Sequence, residues 1–274
     1  MNNYIVLDIL SRGEFGEVLK IKNKFTEKIL AVKVELCDVG LLEYETKIYN
    51  CLSGLDNIPK IRSYKTDGIK NYMFMDLMDY NLKKYKTLHY NSDNYLIDVN
   101  NIIIILISTL KSIHGRGIIH RDIKPENICF QDNTIKLIDF GLSKLIDVNE
   151  GSSLDMKTTD RLTNIIGTPN YVSLDVIDLY QPTIRDDLES LCYIYIYLLL
   201  DTEAFNKYSC EDNRDKKVIN CIYKYITNVR MQKQVSLHLK VCREFNRNMS
   251  QQRDKPPLQK PSNLLYTYLA RIYR

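Results

Sequence analysis

Short alternations of apolar and polar residues come first in this chain, and longer helical periodicities follow. Residues 4–10 and 15–22 read as two strands around Ser11-Arg12-Gly13-Glu14-Phe15-Gly16, and residues 28–35 alternate as a third. Residues 41–52 place Leu41, Leu42, Tyr44, Ile48, Tyr49 and Leu52 at roughly helical spacing. Residues 72–77 form a further apolar strand, which Asp79-Tyr80-Asn81 breaks. The expectation for residues 1–76 is a small, strand-rich lobe with one main helix.

Beyond Asp76 the period changes. Residues 99–114 predict a buried helix capped by Asp98 or Asn100. Two short strands are expected at 127–130 and 134–138. Residues 143–164, rich in Ser, Thr, Asp and Gly, read as a mobile loop. The strongly apolar stretch 185–200 is a helix suited to the centre of a larger lobe. Residues 212–247 predict one or two basic amphipathic helices, Asp254-Lys255-Pro256-Pro257 is a break, and residues 263–274 form a closing helix. The whole reads as an α+β chain of two lobes, 1–76 and 77–274, forming a single domain.

Composition narrows the class. Apolar residues at 45% and charged residues at 26% are ordinary globular values over 274 residues. A net charge of +4 is too small to argue for nucleic acid, though it suits an acidic or phosphorylated partner. Seven cysteines, an odd number without a C-x-x-C pair, read as reduced thiols and not as a disulfide framework or zinc site. Met-Asn-Asn-Tyr lacks the features of a signal peptide, and the apolar runs 102–107 and 191–200 are too short to span a bilayer. An intracellular monomer, cytoplasmic or nuclear, without nucleic-acid or membrane contact, is expected. The chain closes soon after its last helix, so regulation is expected within the domain or from partners.

The chemistry concentrates in His120-Arg121-Asp122-Ile123-Lys124-Pro125-Glu126-Asn127, followed by Asp139-Phe140-Gly141. Phosphoryl transfer needs positioning and charge neutralisation more than covalent chemistry, and these residue types supply both. Asp122 is the candidate base that orients a hydroxyl, Lys124 can neutralise a transferring phosphate, and Asn127 with Asp139 can hold Mg²⁺. A lone aspartate in a polar turn is usually a cap; the complete run, in this order, argues otherwise. His120 and Phe140 read as packing residues.

Upstream, Ser11-x-Gly13-x-x-Gly16-x-Val18 sits where a glycine-rich hairpin could close over phosphates, although such turns are common. Lys33, on the third strand with Ala31, has Glu45 as its candidate partner. Glu43 competes, but Glu45 puts Tyr49 inward on the same helical face. Downstream, Thr168 in Gly167-Thr168-Pro169-Asn170-Tyr171 can hydrogen-bond Asp122 and Lys124, and Asp187 can anchor the 120–127 backbone.

Together these motifs resemble the eukaryotic protein kinase superfamily over essentially the full chain. Within it, four stretches are similar to the casein kinase I group, which includes the vaccinia-related kinases: Ala31-Val32-Lys33-Val34-Glu35, Glu45-Thr46-Lys47-Ile48-Tyr49, Tyr171-Val172-Ser173-Leu174 and Arg185-Asp186-Asp187-Leu188-Glu189-Ser190-Leu191. The resemblance implies a bilobal serine/threonine protein kinase that uses ATP and Mg²⁺ on protein substrates. It makes Met75 the gatekeeper and Asp76-Leu77 the hinge that carries adenine through backbone groups, with Val18, Ala31 and Cys129 around the adenine ring.

Departures from the group's pattern are Ser11 in place of the first loop glycine and Cys192 in place of a glycine. Asn170 stands where relatives have an arginine that helps bind a phosphate already on the substrate. Residues 201–250 match poorly; there Lys216, Lys217, Arg230, Lys233, Lys240 and Arg243 form either an acid-attracting face or a solvated basic surface. Arg121 could pair with a phosphate added at Ser152, Ser153, Thr158 or Thr159. The rival reading is a nucleotide-binding pseudokinase or scaffold.

Overall fold

A computed structural model describes residues 1–13, 16–146 and 161–200. The antiparallel meander begins with β1 (Tyr4–Gly13), β2 (Gly16–Asn23) and β3 (Ile29–Leu36), close to the expected strands. β1 is longer than its pattern suggested and carries Ser11 and Gly13 inside the strand, paired with Val18 and Gly16. After α1 (Leu41–Cys51), β4 (Ile61–Thr66) and β5 (Lys70–Asp76) complete a five-stranded sheet of order β1-β2-β3-β5-β4. β4 was not expected: it lies at the far edge from β1, and only one side of it has a strand to match, so its alternation is weak.

The two faces of this sheet do different things. Leu19, Ile21, Leu30, Val32, Val34, Tyr72 and Phe74 make a small core on one side, while Ala31, Met73 and Met75 join the main core on the other. Because side chains alternate along a strand, Lys33 shares the inner face with Ala31. α1 packs there through Leu42, Glu45, Thr46, Ile48 and Tyr49. Its N-cap, Gly40, has no side chain to cap with; Glu35 at the end of β3 does this instead, accepting from the Leu42 amide at 2.8 Å. One strand therefore supplies both Lys33 and the anchor of the helix facing it.

The second lobe follows through β6 (Tyr80–Asn81), α2 (Leu82–His89), α3 (Tyr95–His114), β7 (Ile118–Ile119), β8 (Ile128–Gln131), β9 (Thr134–Leu137), β10 (Lys144–Leu145), α4 (Leu174–Ile177) and α5 (Ile184–Leu199). The segment at Asp79–Asn81 is thus more than a break. Tyr80 and Asn81 pair with β8, and Asn81 caps α2 by accepting from the Lys84 amide. α2 escaped the sequence pattern because its buried residues include Lys86, whose ammonium donates to the Tyr197 carbonyl at 2.6 Å.

α3 starts one turn before residue 99, with Asn94 at its N-cap position. Neither expected cap serves: Asp98 accepts from the Tyr85 hydroxyl and Asn100 from the Tyr195 hydroxyl, both tertiary contacts. By length and hydropathy α3 would pass as a membrane span, but its buried face packs on α5. α5 begins at a capping box of Thr183 and Asp186 and is buried along most of its length. In its last turn the carbonyls of Tyr197 and Leu198 accept from Lys86 and Tyr95.

The described ends of the expected loop at 143–164 pair with neighbouring segments. Lys144–Leu145 pairs with Ile118–Ile119, and Arg161 bridges to Tyr180. Ser152, Ser153, Thr158, Thr159, the basic helices at 212–247, the break at 254–257 and the helix at 263–274 lie outside the described residues.

Candidate active site

β3 presents Lys33 toward α1, and the pair forms as the helical face required: Lys33 Nζ lies 2.7 Å from Glu45 Oε2. Glu43, the competitor, faces solvent and pairs with Lys47 one turn on. Lys33 also meets Asp139 Oδ1 at 2.8 Å, which joins the two lobes. Burial works against the lysine's charge, but Glu45 and Asp139 outweigh it and hold its pKa above the ordinary range. Burial pushes the Glu45 carboxyl up against the pull of Lys33. Asp139 is held below the usual carboxylate range because Lys33 outweighs its desolvation.

The 120–127 loop is fixed from below by α5. Asp187, 1% exposed, accepts from the amides of His120 and Arg121 at 2.8 Å each, and pairs with His114 at 2.8 Å. Burial alone would raise its pKa; the His114 contact reverses this and lowers it. Arg121 adopts a left-handed backbone, with φ of 70°. Gly167 abuts its carbonyl: φ there is 99°, and a Cβ would stand 2.6 Å from Arg121 O. That close approach delivers Thr168 to the loop. Thr168 Oγ1 donates to Asp122 Oδ1 at 2.7 Å and accepts from Lys124 Nζ at 3.1 Å, and Lys124 lies 2.6 Å from Asp122 Oδ2.

Asn127 and Asp139 are brought together by a tight hairpin. β8 and β9 pair Ile128 with Leu137 and turn through Asp132 and Asn133, both left-handed, as a two-residue turn of this hand requires. The Ile138 amide then donates to the Asn127 carbonyl at 2.9 Å, so Asp139 follows beside Asn127. Asn127 Nδ2 donates to Asp122 O and Oδ2, leaving its Oδ1 without a hydrogen bond from a described residue; the same is true of Asp139 Oδ2. Two oxygen donors suit Mg²⁺, which is usually bound through one or two protein carboxylates together with water and substrate phosphate. Among the described residues no group of three or more His, Cys, Asp or Glu is placed to hold a metal.

Against the sheet, Ala31 pairs with Met75 across β3 and β5, and Val18 and Leu77 pack on the same apolar cluster. Cys129 is buried on β8, and burial pushes its thiol up to about 12. Asp76 directs its carboxylate to Arg62 at 2.8 and 2.7 Å, so only its backbone is available to a ligand. Ser11 is an exposed strand residue without a left-handed φ, so a serine sits there without the backbone strain that would call for glycine. Gly16 is the position that demands glycine: a Cβ would stand 2.1 Å from Val34 O.

Three contributors were not legible in the sequence. Tyr49, read as a packing residue, also accepts the Asp139 amide at 3.0 Å, beside Glu45 Oε1, which accepts the Phe140 amide at 3.1 Å. The Tyr44 hydroxyl donates to the Ser143 carbonyl. Arg121, read as able to pair with an added phosphate, donates to the carbonyls of Leu142 at 2.5 Å and Ser143 at 3.2 Å. His120 and Phe140 pack as expected, both fully buried with ring centroids 4.7 Å apart.

Comparison with known proteins agrees with this geometry. The protein kinase domain family matches residues 4–256. A probable casein kinase I homolog of Encephalitozoon cuniculi (strain GB-M1) is 30% identical over 203 residues, covering 72% of this chain and 62% of the relative. The chain thus spans less than two thirds of the length of that relative.

Proposed function

The chain belongs to the protein kinase family, and we propose that it transfers the γ-phosphate of ATP to serine and threonine hydroxyls of protein substrates. The observation that carries this reading is the closed triangle of Asp122, Thr168 and Lys124, with contacts of 2.7, 3.1 and 2.6 Å. It sets a carboxylate and an ammonium side by side at one polar point of the cleft.

In this reading Asp122 orients the substrate hydroxyl and takes its proton as the new oxygen–phosphorus bond forms and the bond to the departing ADP breaks. Lys124 sets positive charge beside the transferring group. Lys33, steadied by Glu45, meets the α- and β-phosphates, and the hairpin of Ser11, Gly13 and Gly16 covers them. Asn127 and Asp139 hold Mg²⁺, which when bound neutralises phosphate charge and orients the phosphates. Ala31, Val18, Met75, Leu77 and Cys129 enclose the adenine, with the Asp76 backbone at the hinge. Thr168, tied to both Asp122 and Lys124, supports a serine/threonine preference. An acidic substrate preference rests on the basic residues at 216–243 alone, and the site is proposed to act in an intracellular monomer.

Radiolabel transfer from ATP to casein and to a basic protein, followed by phosphoamino-acid analysis, tests the proposal. Wild type should yield phosphoserine and phosphothreonine, and Asp122→Asn should lose at least about a thousandfold in rate with its fold intact. Phosphotyrosine would overturn the specificity. Nucleotide binding without transfer to any substrate would favour a pseudokinase.

A further inference from the structure

We propose that Tyr49 is a positioning residue for the metal-side carboxylate: its hydroxyl accepts the Asp139 amide and fixes the backbone rotation that aims Asp139 into the cleft. The inference rests on the kinase reading of Asp139. Its basis is the conformation of that residue. Asp139 has φ of 68°, in the left-handed region that non-glycine residues adopt only where their surroundings over-determine it. Here the determining contacts are consecutive amides, Asp139 N to Tyr49 Oη at 3.0 Å and Phe140 N to Glu45 Oε1 at 3.1 Å. The two acceptors stand one turn apart on the buried face of α1, so the helix reads the backbone of this segment at two adjacent points.

Glu45 is already engaged by Lys33, and it serves the segment only through Phe140. The peptide that enters Asp139 is held at its amide by Tyr49 and at its other end, the Ile138 carbonyl, by His120 at 3.1 Å, so Tyr49 supplies the contact to the amide of Asp139 itself. The phenol suits the task. It is 3% exposed, and burial, then Glu45, push its pKa well above the ordinary value, so it stays neutral beside two carboxylates. Its ring packs edge-on to Phe140, with centroids 5.0 Å apart and planes at 73°. Tyr49→Phe therefore removes the hydroxyl and keeps the ring contact.

The test uses the full chain and a fluorescent ATP analogue, titrated over a Mg²⁺ series and in EDTA. Tyr49→Phe should shift the Mg²⁺ midpoint for nucleotide binding upward by roughly three- to tenfold, the range expected for loss of one hydrogen bond. Binding in EDTA should stay as in wild type. Equal midpoints would overturn the inference alone, and so would an equal loss of affinity with and without Mg²⁺, which marks a merely structural role. Absence of any Mg²⁺ dependence in wild type would overturn the kinase reading of Asp139 and this inference with it.

Discussion

Below the cleft, the 120–127 loop is held by Asp187, a carboxylate 1% exposed that takes two main-chain amides and one buried histidine. Above the cleft, Lys33 spans Glu45 and Asp139 with its side chain 31% exposed and that of Asp139 40% exposed. The lower attachment runs from side chain to backbone within one lobe. The upper one runs from side chain to side chain between lobes. A buried carboxylate that satisfies amides leaves the loop no alternative arrangement, because each broken contact strands a desolvated group. Lys33 and Asp139 keep partly exposed side chains, so their contact can open to water or phosphate while Glu45 stays buried behind them. The difference assigns the two walls different work: the lower wall keeps Asp122, Lys124 and Asn127 in one geometry, and the upper wall can yield to a ligand.

That contrast can be broken from below first. Asp187→Ala takes the acceptor from two buried amides and the carboxylate from His114 and should destabilise the protein by about 3–5 kcal/mol, the largest effect expected here. Thermal unfolding should show a fall of roughly 10 °C; a fall of only a degree or two would mean that the lower wall is not held as described. Next comes the anchor of α1. Glu35→Ala removes the acceptor for the Leu42 amide and should cost about 1 kcal/mol, measured by denaturant titration.

The smallest effect on stability, at acid pH, is expected from Lys33→Met. Burial already raises the folded pKa of Glu45 above the unfolded value, and removing the lysine takes away the main opposing pull while Asp139 still pushes it up. Such a group contributes its stability below the unfolded pKa and loses it as pH rises through the folded one. The gap between wild type and Lys33→Met should therefore widen as pH rises above the ordinary glutamate range. A gap independent of pH would show that Glu45 finds another partner.

Much of the fold was legible because it is local. β2, β3, α1, the β8–β9 hairpin and α5 lie within a residue or two of where their periodicities placed them. The Lys33–Glu45 pair was readable from helical facing, and the Asp122–Thr168–Lys124 triangle from the resemblance to serine/threonine kinases. β4, α2 and the first turn of α3 were missed because edge pairing, a buried lysine and tertiary acceptors do not leave an apolar period behind.

The sequence alone determined which acids, bases and oxygen donors this chain carries, their order, and the periods of the elements that hold them. These follow from side-chain chemistry and from periods of two and 3.6 residues, both local properties. Only the tertiary structure decided how the backbone of residues 139–143 is held. It gave the Asp139 amide to Tyr49, 90 positions earlier, and turned Arg121 onto the carbonyls of Leu142 and Ser143. Main-chain amides and carbonyls are the same in every residue, so the sequence does not mark which side chain will satisfy them. Packing makes that choice.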